Sequence, residues 1–203
     1  PVQMAAVMGN QELVDLCTGR IGCWMITHPD KGSDVTMVDV RPELPAGQQG
    51  NKGNMWGRLQ GDEIVINGQC SAWVSNGAVA QVALGYLSAE YEDGFFARDG
   101  NPYGMAVIIP LDLPGVSKGK PLEKIGQRAL PQGEIYFDNV RVPKRFAVAL
   151  KDDYYGNMTS AWSFAGTHMG QAFTGVARAA FELALQYCHE RKQGGRMLID
   201  HQL

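Results

Sequence analysis

Two stretches hold the side chains best placed for chemistry. In CWMITHPDKGSD, Cys23 to Asp34, an apolar run of strand character stops at Thr27 and gives way to a Pro, a Gly and small polar residues. Such an ending suits a backbone that comes close to another group, and Thr27 and Ser33 carry hydroxyls that can donate or accept there. The second stretch, SAWVSNG, sets Trp73 beside Val74 and Ser75 ahead of an Asn-Gly turn. Taken singly these residues have plainer readings. Trp24 and Trp73 are core types, Thr27 ahead of Pro29 is a strand-end residue, and Ser33-Asp34 is a polar turn whose side chains bond their own backbone. Metal chemistry is poorly served. The histidines at 28, 168, 189 and 201 lack Cys or carboxylate partners at ligand spacing, and the cysteines at 17, 23, 70 and 188 include no C-x-x-C pair. Reduced thiols in a cytosol-like compartment are expected.

The elements that must position these residues follow from composition and pattern. The chain has 203 residues, 45% apolar and 19% charged, enough to bury a core without disulfides or metals. A net charge of -3 gives no basic face for nucleic acid or a membrane surface. Its apolar runs break well before the roughly 18 residues of a membrane span. No secretory signal pattern opens the chain, and the expected location is cytoplasmic, or the mitochondrial matrix in a eukaryote. The start at Pro1 and the stop at IDHQL suggest a piece of a longer polypeptide.

Residues 1–20 read as helical, with Asn10 as an N-cap, an apolar face of Leu13, Val14, Leu16 and Cys17, and Gly19 just past the end. From Ile21 to about Pro143 the pattern is one of short strands rich in β-branched and aromatic residues: GCWMIT, TMVDV, MWGRL, DEIVING, SAWVSNG, AQVALGYLS, GMAVIIPL and GEIYFDNVRV. Ile64 and Ile66 alternate with Glu63 and Val65 as in a half-buried strand. Ile135 and Phe137 lie on one face but Val140 and Val142 have the opposite parity, which predicts a bulge or bend near Asp138-Asn139. RPELPAGQQGNKGN and EYEDGFFARDGNPYG read as surface insertions; the second, with Phe95 and Phe96, either folds back on itself, the favoured reading, or covers another surface. After Pro143 the period becomes helical, with Met169, Phe173, Val176, Ala180, Leu183, Ala184 and Tyr187 on one stripe. The fold class expected is α+β, with an antiparallel β-barrel or sandwich at 21–145 flanked by helical segments at 1–20 and 146–203.

In register, ITHPDKGSD, INGQCSAWVSNGAVA, EIYFDNVRVP and ARAAFELALQYCHERKQGGRMLIDHQ closely resemble acyl-CoA dehydrogenases, over essentially the whole chain. The resemblance implies the end of an N-terminal helical domain, a middle β-domain that embraces FAD, and the start of a C-terminal helical bundle. On this likeness Trp24 and Ile26 supply apolar bulk around the flavin, Thr27 meets its pyrimidine edge, and Ser33 lies near the pyrophosphate and the thioester chain. Trp73 flanks the ring while Val74 and Ser75 offer hydrogen bonds. Arg191 corresponds to an Arg that reaches the FAD of a neighbouring subunit, with Gln193 and Gln202 near the same cofactor.

The activity implied is α,β-dehydrogenation of an acyl-CoA in a homodimer or homotetramer, with electrons passing to an electron-transferring flavoprotein. The family's catalytic carboxylate has no match in this chain, so the base is expected outside it. This sequence also departs from the family pattern. His28 stands for Glu and is read as flanking the motif and pointing away, Cys70 for Lys, Gly195 for Phe, and SFAGT at 163–167 for a stretch that often carries Asp and Arg. A flavin monooxygenase, a nitroalkane-type oxidase and a non-catalytic β-rich binding module stay open as alternatives.

Overall fold

The computed structural model describes residues 1–7, 9–32 and 44–201 and divides into two compact units, 1–158 and 159–203. The first unit opens with α1 (Val2–Val7) and α2 (Gln11–Cys17). Asn10 caps α2 as its pattern predicts, its side-chain oxygen accepting from Leu13 N at 3.1 Å. Leu13 and Cys17 are the residues of α2 that become buried.

Eight strands follow: β1 (Gly22–Met25), β2 (Trp56–Gln60), β3 (Glu63–Gln69), β4 (Val82–Glu90), β5 (Gly104–Pro110), β6 (Val116–Lys118), β7 (Ile135–Pro143) and β8 (Ala147–Leu150). They join in one sheet in the order β6-β7-β3-β2-β4-β5-β8, with β1 also on β4. β4 is the spine. β5 runs antiparallel along one edge, while β1 and then β2 lie parallel to it, Gly22 opposite Val82 and Trp56 opposite Ser88. α+β therefore holds, with two refinements: the sheet is mixed rather than wholly antiparallel, and the described strands form no closed barrel. Parallel pairing needs a crossover rather than a hairpin, and between β2 and β4 that crossover is β3 and the 70–81 turn, which leave no helical period to announce it.

The parity switch in β7 is a bulge. Gly68 pairs with Phe137 and Ile66 with Val140, so β7 carries one extra residue, and Asn139 takes φ 51° there. That lets Ile135, Phe137, Val140 and Val142 all enter the core beside Ile64, Ile66, Met105, Val107 and Ile109. β3 is more buried than its alternation suggests, because Val65 is covered too. SAWVSNG forms no strand: residues 71–80 run through turns with one isolated bridge at Ser75. TMVDV lies outside the described residues. The 91–103 insertion folds back through Tyr91–Gly94 and Phe96–Pro102 bridges, and Phe95 sets an edge against Trp56 at 5.6 Å.

α3 (Tyr154–Glu190) begins later than Pro143, after β8 and two 3-10 turns. In the second unit its stripe of Met169, Phe173, Val176, Leu183 and Tyr187 is exposed. β9 (Lys192–Gln193) and β10 (Arg196–Met197) then form a short hairpin. Among the described residues no helix is long and apolar enough to cross a membrane, and no group of His, Cys, Asp and Glu could hold a metal ion.

Candidate functional site

Three stretches meet at one end of the sheet: 26–28 beyond β1, the 70–77 turn, and 131–135 leading into β7. β1 holds Cys23 and Met25 in the core and continues to Thr27, whose carbonyl accepts from Ser71 N at 2.9 Å. Their hydroxyls meet as well, Thr27 Oγ1 to Ser71 Oγ at 2.7 Å, and Trp73 N donates to Ser71 Oγ at 3.4 Å. Two residues further on, Trp73 leaves its indole 67% exposed although Val74 beside it is buried. A large apolar ring so exposed beside a buried neighbour is the most conspicuous surface of this end.

The turn is held from the other side. Ser75 forms an antiparallel bridge with Gln132, flanked by Asn76 N to Pro131 O at 2.7 Å and Gly133 N to Val74 O at 3.3 Å. That is a non-hydrogen-bonded pair, so the Ser75 main-chain N–H points away from Gln132 and finds no partner among the described residues. Asn76 sits at φ 63° and its amide donates to Gly22 O at 3.4 Å, tying the turn to β1. Gly77 is required, because a Cβ there would lie 2.2 Å from Gly133 O. Cys70 closes the base of the turn: its N donates to Ile135 O and its Sγ accepts from Ile135 N, both at 3.1 Å. Burial pushes that thiol up to about 11 and the neighbouring Cys23 thiol up to about 12.

Thr27, Trp73, Val74 and Ser75 are thus brought together by hydrogen bonds, although 44 residues separate Thr27 from Ser71. Trp24 is set differently. Its ring packs on Tyr86 at a centroid distance of 6.1 Å, and burial lifts the Tyr86 phenol to about 12. Ile26 follows it, half-buried. His28 is buried, with Nε2 3.3 Å from Tyr86 O; a carbonyl only accepts, so Nε2 carries the proton. Arg191 and Gln193 are exposed and belong to the second unit, where Arg191 N caps α3 by donating to Tyr187 O at 2.9 Å. Ser33 and Gln202 lie outside the described residues.

Two participants escape sequence reasoning: Ser71, which links Thr27 to Trp73, and Gln132, whose Nε2 donates to Trp73 O at 2.9 Å and Ser75 Oγ at 3.3 Å. Ser71 lies only two residues before Trp73, in the same small polar cluster, and that spacing could have flagged it. Gln132 carries no local signal.

The site lies within residues 23–140, which match the family model of the acyl-CoA dehydrogenase middle domain; residues 160–203 match that of the acyl-CoA dehydrogenase C-terminal domain. The chain belongs to the acyl-CoA dehydrogenase family. Among its relatives, the glutaryl-CoA dehydrogenase of Desulfococcus multivorans is 34% identical over 185 residues, covering 90% of this chain and 41% of that protein. The benzylmalonyl-CoA dehydrogenase of Aromatoleum aromaticum is 28% identical over 198 residues, 94% of this chain and 46% of that protein. A solved glutaryl-coenzyme A dehydrogenase in complex with glutaryl-CoA matches with TM-score 0.76 at 25% identity, over 98% of this chain and 47% of its own. The chain spans less than half the length of these relatives.

Proposed function

We propose that the protein carrying this chain removes hydrogen from the α and β carbons of an acyl-CoA thioester, with FAD held at the Thr27–Ser75 end of the first unit, to give a trans-2-enoyl-CoA. One observation carries the reading: Thr27, Trp73 and Ser75 are held in a single hydrogen-bonded knot inside the stretch that matches the middle-domain model. The donor set fits a flavin. The exposed Trp73 indole offers a flat apolar face, while the Thr27 and Ser75 hydroxyls and the outward Ser75 N–H suit a ring with polar edges.

Bound flavin supplies the acceptor for the substrate's β-hydride. The chain's own task is to bind and orient. Each neutral hydrogen bond adds only about 0.5–1.5 kcal/mol net, so affinity is collective and the larger effect is to fix the ring toward the reacting carbon. Trp24 and Ile26 back the strand that presents Thr27, and Val74 anchors the turn in the core. Ser33 is assigned to the pyrophosphate and thioester chain, and Arg191, Gln193 and Gln202 to the cofactor of a neighbouring copy, where a guanidinium suits a pyrophosphate.

The α-proton needs a carboxylate within hydrogen-bond reach of its carbon. The hydrogen-bonded residues Thr27, Ser71, Trp73, Ser75 and Gln132 include none, and the base is assigned to sequence outside this chain. An electron-transferring flavoprotein as acceptor, a homodimeric or homotetrameric assembly, and a division into helical 1–20, β 21–145 and helical 146–203 domains complete the proposal.

The test is anaerobic addition of acyl-CoA thioesters to the full-length protein reconstituted with FAD. Bleaching of the flavin absorbance is expected. Bound flavin that no thioester bleaches would overturn the dehydrogenase reading in favour of an oxygen-using relative. Failure to take up FAD at all would favour a binding module.

A further inference from the structure

Gln132 sits where its amide has one permitted orientation. The Lys124 ammonium donates to Leu130 O at 2.7 Å and to Gln132 Oε1 at 3.0 Å. An ammonium has three donors and no acceptor, so the oxygen end of the amide must face it. At the other end Trp73 O, a carbonyl that only accepts, lies 2.9 Å from Nε2. Both neighbours demand the same arrangement, and the usual ambiguity between amide oxygen and nitrogen is removed. Nε2 therefore also donates to Ser75 Oγ at 3.3 Å. A hydroxyl that accepts from Gln132 keeps its own hydrogen for another partner, and Ser75 is exposed. The ammonium charge further polarises the amide and strengthens its donation.

We infer that Gln132, oriented by Lys124, is a positioning residue that turns the Ser75 hydroxyl into an outward hydrogen-bond donor for the ligand bound at Trp73–Ser75; for the identity of that ligand as FAD the inference rests on the function proposed above. The relay runs from the ammonium through the amide to the serine. It explains why Gln132, held by the charged side chain of its own loop, reaches back to a turn 57 residues earlier in the chain.

Gln132→Glu is the discriminating variant. Its carboxylate keeps the contact with Lys124 at nearly the same size, yet it can only accept, so it draws the Ser75 hydrogen inward and opposes Trp73 O. Lys124→Met removes one of the two neighbours that orient the amide and leaves Trp73 O as the other. In the full chain without flavin, the side-chain amide protons of Gln132, observed in glutamine labelled with 15N, are expected to be dispersed and slow to exchange, and to shift toward free-glutamine values and exchange faster in Lys124→Met. Free-glutamine values in the parent chain would overturn the relay whatever the chain binds.

With FAD, followed by flavin fluorescence, Gln132→Glu and Ser75→Ala are each expected to weaken binding about tenfold. The double variant is expected to bind no more weakly than Ser75→Ala alone, because Gln132 acts through that hydroxyl. Parent-like FAD affinity in Gln132→Glu, or losses that add in the double variant, would overturn the inference. A parent chain that takes up no FAD would overturn the flavin reading instead, leaving the amide measurement to judge the relay.

Discussion

The hydroxyl pair between Thr27 and Ser71 sets a quantitative test of how this end of the sheet is held. Replacing Thr27 by Val keeps the side-chain shape and deletes one hydroxyl; replacing Ser71 by Ala deletes the other. At 2.7 Å the pair has the usual length of an O–H···O bond, worth about 0.5–1.5 kcal/mol net. Ser71 is buried, so Thr27→Val strands its hydroxyl on the long 3.4 Å contact from Trp73 N, for a total cost of about 1–2 kcal/mol. Ser71→Ala loses both contacts but leaves Thr27 half-buried and within reach of water, again about 1–2 kcal/mol. If the two residues act on each other, the double variant is less destabilised than the sum by about 1 kcal/mol. Urea melts of the full chain, followed by circular dichroism of the sheet, give these values as shifts in midpoint at constant slope. In thermal melts the same costs read as about 2–4 °C per kcal/mol for a chain of this size. Single costs that add to within about 0.3 kcal/mol would refute the direct hydroxyl contact and with it the joining of the two segments.

Three further outcomes follow from the same geometry. Gly77→Ala is expected to cost more than about 2 kcal/mol in a thermal melt, since its Cβ would meet both Gly133 O and Val74 O, whereas Asn76→Gly at φ 63° is expected to leave stability nearly unchanged. In a thiol-reagent titration of the native chain near pH 8, only the half-buried Cys188 is expected to react promptly, because Cys17, Cys23 and Cys70 are buried with their thiols pushed up; denaturant should release all four. Lys151 and the Tyr103 hydroxyl both donate to Asp93, at 2.9 and 2.7 Å, and hold its carboxyl below the usual range. A lowered folded pKa contributes stability above the unfolded value, about 4, that is lost as pH falls through the folded one. Asp93→Asn should therefore be less stable than the parent at pH 7, and the difference should shrink as pH falls below about 4, as read from urea midpoints.

Local chemistry made much of this protein legible in one dimension. Asn10 as a cap, the bulge at Asp138-Asn139 and the strand runs follow from side-chain preferences and from parity, which act over a few residues. The family motifs also marked Thr27, Trp73 and Ser75. The same local rules misread SAWVSNG as a strand, because its β-type side chains outweigh a turn that only the Asn76 and Gly77 contacts enforce. They also left Ser71 and Gln132 unseen, along with the packing of Trp24 on Tyr86.

What the sequence alone determined is where the apolar faces, turns and hydroxyls lie along the chain. What the tertiary structure decided is which of them meet: β1 and β2 parallel to β4, Thr27 on Ser71, Lys124 behind Gln132. Those meetings depend on closing loops of tens of residues, and the closure is settled by the burial and hydrogen bonding of the whole sheet, which no short window of residues contains.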